Sequence, residues 1–405
     1  MRLHGVLFLT VFLKPVISSI MDSKALSSSI AQFSAKFCNE LEKGSSVVAS
    51  PLSAEFVLAL LALGANDPSH AELLQSLGIP NDDAIRSSFS GLSSKLKSIK
   101  GVTLNVANKV YIQEGGYDLN PELKNDAIKV FDAGLDKLNF AESSAACSEI
   151  NKWVEGKTNN RIKDLLKPDS VNSDTRLVLV NALFFKGTWR KQFDVANTID
   201  QPFHIDESTT VDVPMMYLED KFMYGESPEL GVQFLRMDYV GNEASMLIVL
   251  PKEINGLDGV LKKLANGFDL MGELDRMMET KVRVNIPKFK IESEINLNEL
   301  LPKLGISSIF DSGNSGIDKL LDNGELLYVS TAVQKAFIEV NEEGAEAAAA
   351  TAGAVRKRRM VEEPPVEFAV TRRALWCVLV QRHVALVASF SPGRAHTARA
   401  PRTEL

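Results

Sequence analysis

The sequence predicts an α+β fold. Three observations predict it. Segments with helical spacing of apolar residues lead the chain, unbroken apolar runs of strand character follow, and no regular alternation of strand and helix links them. There is no internal repeat and no long linker, so one domain spanning residues 20–405 is expected after a short leader.

The leader is Met1 to Leu13, a short apolar run with Arg2 near its start and small residues at Ser18 and Ser19. This pattern predicts a secretory signal peptide over residues 1–19. The other reading is a buried N-terminal helix. Ile30, Phe33, Phe37 and Leu41 then recur at helical spacing from Ser23 to Leu41. Ser50 is placed to cap a second helix with Pro51 in its first turn, and Phe56 to Leu63 is apolar almost all round, which predicts deep burial. Strand character appears at Thr103–Tyr111, a helix at Ala146–Glu155, and a strand buried on both faces at Leu177–Phe185. Strands are expected again at Ser245–Leu250, stopped by Pro251, and at Val282–Phe289.

The 405 residues carry a net charge of -7, which argues against nucleic acid as a partner. From Arg356 onward ten Lys/Arg face four Asp/Glu, a charge of +6 that leaves about -13 for the rest. No segment beyond the leader is apolar enough to cross a membrane, and no membrane partner is expected. Cys38, Cys147 and Cys377 are too few for a disulfide scaffold and are expected as free thiols, one chance pair being open. No Asn-X-Ser/Thr acceptor occurs.

His4, His70, His204, His383 and His396 show no metal-ligand spacing, and no nucleophile elbow, Walker loop or dinucleotide fingerprint is present. No metal, no cofactor and no enzyme chemistry are expected.

Residues 342–359 run from acidic to small to basic. Six of the eight residues from Ala345 to Ala352 are alanine, which suits a helix or a linker. Alternation suits a strand as well. Ala345, Ala347, Ala349, Thr351 and Gly353 then share one small, uncharged face, with Glu346 on the other. Such a strand can slide over a packed core, where bulky or charged residues would overpack it or bury charge. Gly344 to Arg359 would span about 50 Å as a strand.

The run Lys335 to Ala349 resembles the hinge of the serpins, suicide inhibitors of serine proteases. The resemblance extends to Ser50-Pro51-Leu52-Ser53, Leu63-Gly64-Ala65, Ile150 to Val154, Thr158 to Ile162, Asn181 to Trp189 and Pro287-Lys288-Phe289-Lys290, in order from about Ser23 to Phe368. The hinge and the Ile150–Ile162 run look most like insect serpins. The resemblance implies three β-sheets, about nine helices, an exposed reactive-centre loop over about 342–365 and a monomer. It also implies that a protease cuts the loop, which then inserts as a new strand and traps the acyl-enzyme. The hinge would be Glu342, Glu343, Gly344, Ala345, Glu346, Ala347, Ala348 and Ala349. It carries no proline and no bulky residue, which favours an inhibitor over a storage protein. A non-inhibitory binding or chaperone role is the alternative.

The bait would be Arg356-Lys357-Arg358-Arg359. Arginine before the cut bond suits an acidic specificity pocket. Arginines at the first, third and fourth places resemble the pattern of furin-like proprotein convertases, with Arg359–Met360 as the reactive bond. Cleavage at Arg358–Arg359 is the other register and suits a trypsin-like protease. A basic patch for a heparin-like polyanion is a further reading. Arg402-Thr403-Glu404-Leu405 is similar to a retrieval signal of the endoplasmic reticulum, so the expected location is the secretory pathway or outside the cell.

Two departures stand out. After Phe368 the usual His/Arg-Pro-Phe turn is absent, and Arg372 and Arg373 occupy its place in an atypical segment, 369–405; Leu375–Val380 and Val384–Ala388 are its expected strands. Gln334 stands where many serpins have histidine, near the place where the sheet opens.

Overall fold

All thirteen residues of Pro51–Leu63 are buried, and the fold is assembled round this helix. Ser50 caps it as expected, its Oγ accepting from the Ser53 N–H at 3.2 Å. The computed structural model describes residues 21–343 and 364–393. The signal peptide over 1–19, the loop from Gly344 through Met360 and the Arg402–Leu405 tetrapeptide lie outside the described residues.

The helices are α1 (Ser23–Asn39), α2 (Pro51–Leu63), α3 (Ser69–Leu77), α4 (Asp82–Ser98), α5 (Pro121–Lys129), α6 (Ser143–Lys157), α7 (Leu257–Ala265), α8 (Leu270–Asp275) and α9 (Leu297–Leu300). The strands are β1 (Val47–Ala49), β2 (Val102–Gln113), β3 (Gly134–Leu138), β4 (Leu177–Gly187), β5 (Ile199–His204), β6 (Thr210–Ser227) and β7 (Val232–Asp238). They continue as β8 (Ala244–Pro251), β9 (Met278–Pro287), β10 (Phe289–Asn296), β11 (Val329–Val340), β12 (Val366–Ala369), β13 (Leu375–Val380) and β14 (His383–Ser389). Among the described residues, no helix is long and apolar enough to cross a membrane.

The expected α+β architecture is present, and hydrogen bonding links its strands into two networks. One has five strands in the order β10-β11-β4-β2-β3. The other has nine, in the order β1-β14-β13-β8-β7-β6-β9-β12 with β5 beside β6. The reason is the length of β6, which spans 18 residues. Its first part pairs with β5, its last five residues with β7, and β9 runs beside its middle from Met215 to Tyr224. Two sheets are thereby continuous along β6 and β9.

One correction concerns Val282–Phe289, expected as one strand. The ladder breaks at Lys288: Pro287 ends β9 opposite Met215, and Phe289 opens β10 opposite Val340. The chain changes sheets there, with the Lys288 N–H still donating to the Pro214 carbonyl of β6 at 2.9 Å.

The described part of the atypical C-terminal segment, residues 369–393, is well seated. The two expected strands are β13 and β14, every residue of which is buried. They are joined at Gln381 and Arg382, both at positive φ. Arg372 donates from Nε to the Pro251 carbonyl at 2.6 Å, and Arg373 lies 3.5 Å from Asp258. Trp376 meets Phe289 edge-on, and Phe390 stacks on Phe289 at 4.9 Å. These contacts close the end of the sheet without the usual turn.

One core residue conflicts with its surroundings. Glu55, in α2, is 1% exposed and neither carboxyl oxygen has a partner. Burial pushes its carboxyl well above the usual carboxylate range, which favours the protonated form.

Candidate functional site: the hinge base and the parallel seam

The segment from Gly344 to Glu363 starts at the end of β11 and rejoins the described chain before β12. Its two anchors therefore sit in different sheets. β11 is bounded by β10, antiparallel, and by β4, parallel in register from Val329↔Leu177 to Ile338↔Phe185. On its other side β4 pairs with β2, antiparallel. The β4–β11 seam is thus a parallel junction between two antiparallel pairs.

That seam is held by buried amides. Gln334 is fully buried, and its side chain takes both backbone groups of Ser50: Oε1 accepts from the Ser50 N–H and Nε2 donates to the Ser50 carbonyl, each at 2.8 Å. Nε2 also donates across the seam to Asn181 Oδ1 at 2.5 Å. Asn181 Nδ2 in turn donates to Ser53 Oγ and Asn108 Oδ1, and Ser53 Oγ donates to Asn108 Oδ1. The chain thereby ties β11, β4 and β2 to the capped end of α2. An amide in place of histidine completes this network with no group that titrates.

One face of the seam is roofed by α6. Ile150 and Val154 belong to the same buried cluster as Val178 and Val180 of β4 and Val333 and Phe337 of β11. Phe337 lies 5.4 Å from Phe184 across the seam.

Of the eight expected hinge residues, Glu342 and Glu343 are described, and both are clamped. Trp189 follows β4 and donates from its backbone N–H to the Glu343 carbonyl at 3.3 Å and from its indole to the Asn341 carbonyl at 2.9 Å. Phe193 N–H donates to the Glu342 carbonyl at 3.0 Å. The Trp189 ring is stacked on Tyr239 at 4.4 Å. The Glu342 carboxylate is 4% exposed; Lys288 Nζ lies 2.8 Å away and Thr198 Oγ1 donates to it at 2.9 Å. Burial alone would raise its pKa, but the Lys288 ammonium, its own backbone N–H and Thr198 outweigh this and hold it below the ordinary value.

Gly344, Ala345, Glu346, Ala347, Ala348 and Ala349 lie outside the described residues, as do Arg356, Lys357, Arg358, Arg359 and Met360. Sequence reasoning missed Trp189, Lys288 and Thr198 as partners of the hinge. The first two fall in quoted motifs, but nothing local assigns them to Glu342. Cys147 is buried and its thiol is pushed up by burial, which fits packing and not nucleophilic chemistry. Cys38 and Cys377 are likewise buried and free.

This architecture, with Glu342 and Glu343 clamped at the end of a strand beside a parallel seam, defines a class already known from solved structures. The fold aligns over 92% of this chain and 99% of the other with Serpin48 of the insect Tenebrio molitor, at a TM-score of 0.82 and 30% identity. The profile of the family described as Serpin (serine protease inhibitor) matches residues 28–374. The chain is also 42% identical to Antitrypsin of Bombyx mori over 85% of this chain and 88% of that one, and 42% identical to Antichymotrypsin-2 of the same species over 85% and 92%. The chain belongs to the serpin family and is a serine protease inhibitor by class. The reading of the sequence as simply not an enzyme is corrected by these names: they supply a positive class, in which the chain is defined by a protease it acts on.

Proposed function

We propose that this chain inhibits its protease as a suicide substrate, with Arg359–Met360 as the reactive bond and a furin-like convertase as the target. The observation that carries the mechanism is the parallel seam between β4 and β11. A strand that turns back after Val340 runs antiparallel to β11, and, since β4 is parallel to β11, antiparallel to β4 as well. One weaker parallel ladder is replaced by two antiparallel ones. The small face of Ala345, Ala347, Ala349, Thr351 and Gly353 suits a strand entering an already packed sheet.

The chemistry is that of acyl transfer. The protease serine Oγ attacks the Arg359 carbonyl, the Arg359–Met360 bond breaks, and the Met360 amine leaves with a proton. The loop stays joined to the protease as an ester. Hinge insertion then carries that ester away from the geometry needed for water to attack it. The free energy comes from a native fold that is kinetically rather than thermodynamically held.

Arg356, Arg358 and Arg359 together support the convertase reading. Cleavage at Arg358–Arg359 by a trypsin-like protease is the second register, and the name of the silkworm relative Antitrypsin favours keeping it. The same reading places the chain in the secretory pathway, through the leader over residues 1–19 and the Arg402–Leu405 tetrapeptide. Mass spectrometry of the loop released by furin and by trypsin tests the assignment. A new N-terminus at Met360 with furin supports it, and a new N-terminus at Arg359 with both proteases overturns the convertase register.

A further inference from the structure

Thr371-Arg372-Arg373-Ala374 joins β12 to β13 and sets two consecutive arginines before a small residue. A protease with an acidic specificity pocket selects such residues, because a guanidinium pairs bidentately with a carboxylate. In the uncut fold the bond after Arg373 is shut. The His204 N–H donates to the Thr371 carbonyl at 2.7 Å, and the Val370 N–H to the Asn285 carbonyl at 2.8 Å. Arg372 Nε is engaged by the Pro251 carbonyl, and Ala374 is fully buried. No protease can take this stretch as an extended strand until it lifts away.

The Arg373 seat is only half satisfied. Arg373 Nη1 lies 3.5 Å from Asp258 Oδ1, too far for a good hydrogen bond. Arg373 Nε and that carboxylate oxygen are both buried with no hydrogen-bond partner. Such a pair gains by returning to water once the backbone lets go. The backbone is held by a short ladder. β12 has four residues, lies at the end of its network and pairs with β9 alone. Phe368 and Val370 are its buried anchors. In the uncut chain β12 is tethered at both ends, by the loop before it and by β13 after it. A cut in the loop turns the β12 side into a chain terminus, and a short edge strand opens from a free end.

We propose that Arg373–Ala374 is a second, latent cleavage site for an arginine-specific serine protease, opened by the cut in the loop. The protease serine Oγ attacks the Arg373 carbonyl, the Arg373–Ala374 bond breaks, and the Ala374 amine leaves with a proton. Water then hydrolyses the ester and releases a peptide that ends at Arg373. β13 and β14 stay behind, because every residue of both is buried and they are paired to β8 and β1. A spent chain thereby loses β12 and bares the edge of β9, with its body intact.

The test is a time course of the full chain with excess trypsin, read by mass spectrometry and N-terminal sequencing. It rests on cleavage of the loop, as proposed above, and not on covalent trapping. A new N-terminus in the loop is expected first. Ala374 follows as a second new N-terminus, at least about tenfold faster in loop-cut than in uncut chains, since cleavage follows the open fraction. Asp258→Asn removes the charge facing Arg373 and should speed the Ala374 cut about threefold to tenfold, leaving the loop cut unchanged. Arg373→Gln should abolish the Ala374 cut while the loop is still cut. Appearance of Ala374 at the same rate in uncut chains, or its absence after complete loop cleavage, overturns the proposal. If trypsin leaves the loop uncut, the loop reading fails separately, and absence of the Ala374 cut in Asp258→Asn then overturns the site itself.

Discussion

Lys288 and Glu342 are paired at 2.8 Å, with the lysine half exposed and the carboxylate almost fully buried. The pair exists because the chain changes sheets at Lys288, between Pro287 of β9 and Phe289 of β10. The side chain of Lys288, at the crossing between the two sheets, is thereby set against Glu342. Lys288→Ala leaves a buried carboxylate with Thr198 as its remaining side-chain partner. The expected loss is about 1–3 kcal/mol, tempered because the lysine is partly in water. Differential scanning calorimetry of the intact chain checks this, and an unchanged transition contradicts it.

The sign of the pH effect at Glu342 follows from its lowered pKa. Its contribution is fully present above the carboxyl's unfolded value, about 4.3, and is lost as pH falls through the folded one. The thermal transition of the parent should therefore fall more steeply with acid than that of Glu342→Gln. Parallel curves would remove the carboxylate from the account.

His383 titrates in a different window. It is 2% exposed in β14, its Nδ1 is 3.2 Å from Ser27 Oγ, and burial together with the nearby Lys95 pushes its pKa down to about 4. The unfolded imidazole takes its proton near 6.5, whereas the folded one stays neutral to about 4. Stability is thus full above 6.5 and drains as pH falls toward 4, by up to about 3 kcal/mol. His383→Gln should flatten the transition temperature between pH 6.5 and 4.5. An equally steep fall in the variant would assign the acid sensitivity elsewhere.

Glu55 works in the opposite sense. A buried acid that stays protonated while the unfolded chain ionises weakens the fold increasingly as pH rises above about 4.3. Glu55→Met, of similar volume and without an unpaired polar atom, should stabilise the chain by about 1–3 kcal/mol at pH 7. A lower denaturation midpoint in urea would contradict this.

The amphipathic and fully apolar elements were legible in the sequence. α2, β4 and the β13–β14 hairpin follow from runs such as Phe56–Leu63 and Leu177–Phe185, in which burial is written locally. What was not legible is non-local. Gln334 draws its partners from Ser50 and Asn181, far away in the chain, and no spacing announces that an amide will meet both backbone groups of a helix cap. The break at Lys288 was hidden for a related reason. Val282–Phe289 reads as one strand because both halves are strands, and only their partners differ. The small residues of the expected hinge stand out in the sequence, but the clamp of Trp189, Lys288 and Thr198 on Glu342 and its neighbours needs the fold.

Loop chemistry and hinge chemistry separate by mutation. Arg359→Ala should abolish inhibition with little change in the thermal transition of the uncut chain. Ala345→Arg should leave cleavage intact and turn the inhibitor into a substrate, because a charged side chain cannot enter the packed seam. Stoichiometry titrations against trypsin and furin distinguish the two, and unimpaired inhibition by Ala345→Arg would exclude insertion of that face.

A cut loop that traps its protease covalently leaves a product that can be seen. The most direct measurement is a denaturing gel of the intact chain incubated with furin and, separately, with trypsin. A band heavier than the chain that survives SDS is expected with at least one of the two. Its mass is that of the protease joined to the fragment ending at Arg358 or Arg359. Complete cleavage of the loop with no such band, by either protease, would contradict it.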